Sequence, residues 1–238
     1  MTARADARVV VIAQARMSSS RLPGKVLTDL GPGTTLELVL RRLRSVTEVT
    51  EVAIATSTEP DDDPVAEAAR ELGSRAVRGP LDDVLERYRM AAAATGADAV
   101  VRVTADCPLV EPTVVDRVVA IWRADDSLDY VWNTREPRTF PDGLDVELVS
   151  RRALEQAAEQ TCEPYDREHV TPFVRNRPER FPQRSLRLDP PARAVKLSLD
   201  TSEDLTAIRL FIERVGPAAT LDDILAAMGG APARMVIE

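Results

Sequence analysis

A chain of 238 residues and 26.1 kDa, 44% hydrophobic and 29% charged, has the length of one α/β domain or of a domain with a modest insert, and at roughly 70–75% burial of its unfolded surface it needs no disulfide or metal to fold. A net charge of −8, from 31 basic and 39 acidic residues, excludes a protein whose main partner is a nucleic-acid backbone. Two cysteines, Cys107 and Cys162, are too few for a disulfide framework, and a single histidine, His169, excludes a multi-histidine metal centre.

Any metal must then be held by carboxylates, which suits magnesium or manganese. The charge is unevenly spread: residues 1–25 carry Arg4, Arg8, Arg16, Arg21 and Lys25 against Asp6 alone, a local field built for a small anion. No stretch approaches about 18 consecutive apolar residues. The leading MTARADAR is not followed by the apolar run and cleavage site of a secretory leader. A soluble, cytoplasmic protein with no membrane contact is expected, in keeping with two unpaired thiols.

The first predicted element is VVVIAQA (Val9 to Ala15), too short for a helix, β-branched, and closed by a Ser/Arg/Pro/Gly cluster. That pattern marks a strand buried on both faces. TTLELVLRRLRSV (Thr34 to Val46) sets Leu36, Leu40 and Leu43 on one helical face behind a threonine cap. EVAIATS (Glu51 to Ser57) repeats the buried strand. DPVAEAARELG (Asp63 to Gly73) reads as a helix whose preceding DDD run caps it, with Pro64 in the first turn and a terminal glycine. A short strand at Arg75 to Gly79, a helix in LDDVLERYRMAAAATG, a strand DAVVRVT (Asp98 to Thr104) and a helix from Pro112 to Ala124 continue the rhythm. Strands alternating with helices of this length imply right-handed βαβ units, hence a mostly parallel central sheet with helices on both faces.

The rhythm breaks after a strand at DYVWNT (Asp129 to Thr134). Segment 133–190, rich in proline and charge, reads as a smaller α+β insertion. The core resumes with a strand VKLSLD (Val195 to Asp200), a helix in TSEDLTAIRLFIERV and a last helix from Thr220 to Met228.

Three loops carry chemistry. QARMSSSRLPGKVL (Gln14 to Leu27) directly follows the first strand, and ligands of open α/β sheets bind beyond the carboxyl ends of strands. Arg16, Arg21 and Lys25 supply charge, and Ser20, its serine neighbours and the backbone amides supply short donors, as a triphosphate requires. The glycine spacing of a Walker A loop is absent. In TADCPLVEP, Asp106 follows Thr104 at the end of another buried strand and can hold a divalent cation, while Cys107 beside it reads as packing. LSLDTSEDL repeats that geometry: TSED is a helix start, which leaves Asp200 free for a cation shared with Asp106. No nucleophile–base pair is evident. His169 lies in an amphipathic helix with Tyr165 and Phe173, equally suited to a structural role and to a substrate contact.

On these residues the chain resembles the cytidylyltransferase family that activates sugars as CMP derivatives, and within it the branch named for spore-coat polysaccharide biosynthesis. VVVIAQARMSSSRLPGKVL, ATSTEPDDD, RGPLDDVLERY, VVRVTADCPLVEP, FPDGLDVELVS, YDREHVTPF and LSLDTSEDL stand in that branch's order and cover nearly the whole chain. The resemblance implies a nucleotidyltransferase fold related to the A-type glycosyltransferases, a Rossmann variant. It implies CTP and Mg²⁺ (or Mn²⁺), with nucleotide held by Ala13, Gln14, Ala15, Arg16, Ser20, Arg21, Lys25 and Thr104, and base or ribose contacts near Arg78, Gly79 and Asp83. Asp106 and Asp200 would hold the metal, and Arg16, Lys25, Asp106 and Asp200 would carry catalysis. The 133–190 insert would form the acceptor and homodimer element, the exposed-looking Trp132, Phe140, Phe173 and Phe181 making the dimer contact, with Asp145, Glu147 and His169 toward a small-molecule acceptor.

The first loop departs from the sialate and octulosonate enzymes, which carry an ARxGSxR pattern where Met17, Ser18 and Ser19 stand here, and TAD replaces the octulosonate QGD. The acceptor therefore stays open among sugars, sugar acids and related compounds. Two other functions also stay open: a glycosyltransferase using a preformed sugar nucleotide on the same fold, and a nucleotide-binding subunit without turnover.

Overall fold

The computed structural model describes residues 4–192 and 194–238; the first three residues of the MTARADAR segment lie outside these. The chain begins with strand β1 (Val9–Gln14), helix α1 (Thr35–Leu43), strand β2 (Glu51–Ser57), helix α2 (Asp63–Glu71) and strand β3 (Arg75–Gly79). Helix α3 (Val84–Thr95), strand β4 (Ala99–Thr104), helix α4 (Pro112–Ala124) and strand β5 (Tyr130–Trp132) follow. Then come strand β6 (Glu147–Ser150), helices α5 (Arg151–Gln160), α6 (Pro164–His169) and α7 (Pro172–Arg175), and strand β7 (Gln183–Asp189). Helices α8 (Ser202–Val215) and α9 (Leu221–Ala227) and strand β8 (Arg234–Ile237) close the described chain.

The strands form one sheet in the order β3-β2-β1-β4-β6-β5-β7-β8. β1 pairs parallel with β2 and β4, β2 with β3, and β5 with β7, while β6 runs antiparallel to both β4 and β5. The chain winds outward from β1 to β3, then crosses back to place β4 on the other side of β1. The gap between the β1 and β4 loops is therefore the topological switch point, where open α/β sheets bind ligands.

Alternation within β1 divides the core. Val9, Val11 and Ala13 pack with α1, α2 and α4, and Val10 and Ile12 pack with α3 and α5. All five are fully buried, each worth roughly 1.5–3 kcal/mol for the larger side chains. Tyr88, fully buried on α3, shares its hydroxyl proton between the carbonyls of Ile12 and Val103 at 3.1 and 3.2 Å, which ties the two strands together just below the site.

Four expectations are corrected. Segment 195–200 is no strand: it makes a single bridge, from Lys196 to Asp142 in the loop before β6, and runs extended beside the β4 loop. The DDD run does not cap α2 through a side chain; Asp62 instead accepts from the Met17 amide at 2.6 Å and from the Ser57 hydroxyl. Phe140, Phe173 and Phe181 are buried and Trp132 is half-buried, so they are core side chains rather than an exposed interface. Lastly, the strands of segment 133–190 are members of the main sheet, with β6 wedged between β4 and β5, and the terminal β8 adds an edge that alternation alone did not reveal.

Candidate active site

The loop after β1 is shaped by Gly24, whose φ of 73° lies in the left-handed region where a side chain is disfavoured. Its amide donates to Met17 O at 2.9 Å, which folds residues 17–24 back on themselves and starts the single helical turn Lys25–Leu27. Lys25 is thereby aimed inward. Its Nζ reaches Asp106 Oδ2 at 2.5 Å and Asp200 Oδ1 at 2.9 Å.

Asp106 sits two residues past β4. Asp200 arrives from the other side, because Leu199 N donates to Asp106 O at 2.8 Å and Leu197 N to Asp142 O at 2.7 Å. That second contact needs Gly143: its φ is 97°, and a Cβ there would sit 2.6 Å from the Leu197 carbonyl carbon. Behind Asp200, Thr201 and Asp204 form a reciprocal capping box on α8, and Asp204 also accepts from the Asp200 amide. The TSED residues thus have structural work, as expected, and Asp200 faces the cleft. Burial acts to raise the Asp200 carboxyl, but hydrogen bonds from Lys25 and Lys196 and their charges outweigh it and hold the group at about 2. Burial alone would lower Lys25, yet Asp106 and Asp200 hold it above its ordinary value. Cys107 is buried and its thiol is pushed well up by burial and by Asp106, which makes it a packing residue and no nucleophile.

The cleft over these groups has a volume of about 240 Å³ and is bordered by Gln14, Ala15, Arg16, the three serines, Arg21, Thr104 and His169 as well. Arg21 reaches Asp200 at 3.1 Å. Two buried polar atoms here have no hydrogen-bond partner among the described residues, Gln14 Oε1 and Arg87 Nε. Buried groups of this kind are normally paired, and both belong to side chains that border the cleft. Arg87 is a cleft residue that motif reading missed, and Asp62 is a buried anchor of the loop after β1 through the Met17 amide. Arg87 lies on the buried face of α3 with Nη1 on the Pro80 and Leu81 carbonyls.

Several expected contacts fall elsewhere. Ala13 is enclosed in the sheet, one residue short of the cleft wall. Arg78 pairs with Asp63 at 2.6 Å and donates to the Ser57 and Glu59 carbonyls, Gly79 abuts Arg87, and Asp83 caps α3 and pairs with Arg167. None of these three borders the cleft. Asp145, Glu147 and His169 border a second cavity of about 630 Å³ with Trp132, Arg102 and Arg175. There Asp145 pairs with Arg138, and burial prevails over that arginine to raise its carboxyl. Glu147 is buried, accepts from Arg102 at 2.6 Å, Thr171 at 2.7 Å and the Tyr130 hydroxyl, and is held below its ordinary value against the effect of burial.

The donor set suits a hard divalent cation. Two carboxylates reach one cationic centre, Lys25 Nζ, and among the described residues no cluster of three or more protein ligands forms.

A family model described as cytidylyltransferase matches residues 10–215. The chain belongs to the cytidylyltransferase family. This cytidylyltransferase is 31% identical over 215 residues to the spore coat polysaccharide biosynthesis protein SpsF of Bacillus subtilis, covering 87% of this chain and 88% of that one. A solved cytidylyltransferase from Leptospira borgpetersenii is 30% identical with a TM-score of 0.89 over 94% of both chains. The structure of CMP:2-keto-3-deoxy-manno-octonic acid synthetase complexed with CTP is 20% identical, with a TM-score of 0.67 over 87% of this chain and 98% of that one. The cytidylyltransferase is thus a nucleotidyltransferase on an α/β fold, and the non-catalytic and glycosyltransferase alternatives give way to CTP-dependent transfer. No helix of the described residues is long and apolar enough to cross a membrane.

Proposed function

We propose that the chain transfers CMP from CTP to a hydroxyl of a small acceptor, a sugar, sugar acid or related compound, and releases pyrophosphate from the 240 Å³ cleft. The observation that carries this reading is the meeting of Lys25, Asp106 and Asp200 at the switch point, under a loop rich in serine and arginine. Transfer of this kind needs positioning and charge neutralisation more than covalent chemistry. Arg16, Arg21 and Lys25 would neutralise the triphosphate, with Ser20 and its serine neighbours as short donors. Gln14, Ala15 and Thr104 would border the cytidine end, where Gln14 Oε1 can accept from the exocyclic amine that cytosine has and uracil lacks.

Asp106 and Asp200 would hold Mg²⁺ or Mn²⁺. When bound, such an ion supplies charge stabilisation on the transferring phosphoryl group. The acceptor would lie in the 630 Å³ cavity against Trp132, Asp145 and Glu147. A cytosolic homodimer is the proposed state, on the family likeness and the two free thiols.

The test is a screen for pyrophosphate release from CTP against sugar acids, sugar phosphates and phosphonates. Metal-dependent release with one of them supports the reading. Turnover only of a preformed sugar nucleotide, with nucleoside diphosphate as product, contradicts it.

A further inference from the structure

Among the described residues, one side chain borders both cavities, and it is His169. The backbone that presents it is unusual. Val170 has φ 72° and ψ −55°, the one non-glycine residue with positive φ among those described. The Thr171 amide closes on His169 O at 2.9 Å, so residues 169–171 form a γ-turn of the rare, strained kind, centred on a β-branched side chain. Such a conformation persists only where its surroundings enforce it. Here they do: Val170 is buried, its amide donates to Asp166 O at 2.9 Å, and Thr171 Oγ1 is fastened to the buried Glu147 at 2.7 Å. The turn sinks residue 170 into the core and leaves His169 exposed at the junction of the two cavities.

Apart from Glu168, the carboxylates that border either cavity are engaged. Asp106 and Asp200 share Lys25, Asp145 faces Arg138, Glu136 accepts from the Arg138 amide, and Glu147 is locked by three donors. Glu168 borders the nucleotide cleft alone. The His169 imidazole lies against the Tyr165 ring, 4.3 Å between centroids, and makes no hydrogen bond among the described residues. Its lone pair is therefore available, and imidazole is the side chain best matched to proton transfer near neutral pH.

We propose that His169 is the general base for CMP transfer, an inference that rests on the function proposed above. The acceptor oxygen forms a bond to the α-phosphorus, and the bond from that phosphorus to the oxygen bridging the β-phosphate breaks. That electron pair leaves on pyrophosphate. The hydroxyl proton passes to the neutral imidazole of His169 and from there to water.

The experiment measures pyrophosphate release from Mg·CTP by the full chain and by His169→Ala and His169→Asn. Acceptors are the panel above, 3-deoxy-manno-octulosonate and N-acetylneuraminate among them. The expected result is a kcat lower by about 10²-fold or more in both variants, a KM for CTP within about 3-fold of wild type, and recovery of at least about 10-fold in His169→Ala on adding free imidazole. Variants that keep kcat within about 3-fold, or that lose it with a rise in acceptor KM and no imidazole rescue, overturn the base assignment alone. Absence of pyrophosphate release by wild type with every acceptor overturns the CMP-transfer reading, and the base assignment with it.

Discussion

Lys25 carries a single charge that two carboxylates, one from the middle and one from the C-terminal part of the chain, share. Lys25→Ala removes a charge-assisted hydrogen bond of about 1.5–3 kcal/mol, so CTP affinity should fall about 10- to 150-fold while affinity for free cytidine changes little. Titration calorimetry with both ligands checks this, and equal loss for the two would remove Lys25 from the phosphate site. Asp106→Asn should keep the fold and lower turnover by at least about 10²-fold, since the carboxylate that would hold the cation is gone; near-normal turnover at saturating Mg²⁺ would contradict it. Glu147 makes a pH prediction. Its carboxyl is held below the ordinary 4.5 by Arg102 and two hydroxyl donors. A depressed folded value means that the stabilisation is full above about pH 4.5 and is lost as pH falls through the folded value. Glu147→Gln leaves Arg102 buried without its counter-charge, a loss of order 3–5 kcal/mol at pH 7. The stability gap to wild type should shrink on acidification below pH 4.5 in denaturant titrations. Asp106 was legible because it follows the apolar run of β4, Lys25 because it closes the turn-rich loop after β1, and Asp200 because the TSED start of α8 left it without a capping role. Arg87 was not: it lies mid-helix on the buried face of α3, where a cation has no motif to announce it.

At the scale of elements, the site depends on segments pinned to one another rather than on the sheet alone. Gly143 lets the 197–200 segment pass within contact of the 142–144 turn. Gly143→Val should displace Asp200, lowering turnover about as strongly as Asp200→Asn and reducing Tm as well. A variant with wild-type turnover would show that Asp200 is held by its capping box alone. The apolar runs of β1, β2 and β4 announced the parallel half of the sheet, since strands buried on both faces read as continuous Val/Ile/Ala. β6 and β7 were harder to place in the sheet because they fall in a stretch rich in proline and charge, and their pairing partners are set by tertiary contact. Segment 195–200 was misread for a definite reason. V-K-L-S-L-D alternates with the period of a strand, yet its amides bond to the Asp142 and Asp106 carbonyls of two loops instead of a neighbouring strand.

At the scale of the molecule, an acidic chain with a net charge of −8 sets Arg16, Arg21, Lys25 and Arg87 around the nucleotide cleft, which favours a small polyphosphate over a nucleic acid. The proposed homodimer predicts light scattering at about twice the 26.1 kDa chain mass; a value near one chain at micromolar concentration would end it. Phe140, Phe173 and Phe181 are buried, so these aromatic residues of segment 133–190 give the dimer no support. The central claim is that this cleft takes CTP and yields pyrophosphate, and the measurement that reaches it most directly is pyrophosphate release from CTP and from UTP with an acceptor, with and without a metal chelator. A buried acceptor such as Gln14 Oε1, left unpaired by the wrong pyrimidine, costs about 1–3 kcal/mol. The account predicts a preference for CTP of at least about 10-fold and abolition by the chelator. Equal use of the two nucleotides, or release that ignores the chelator, would contradict it.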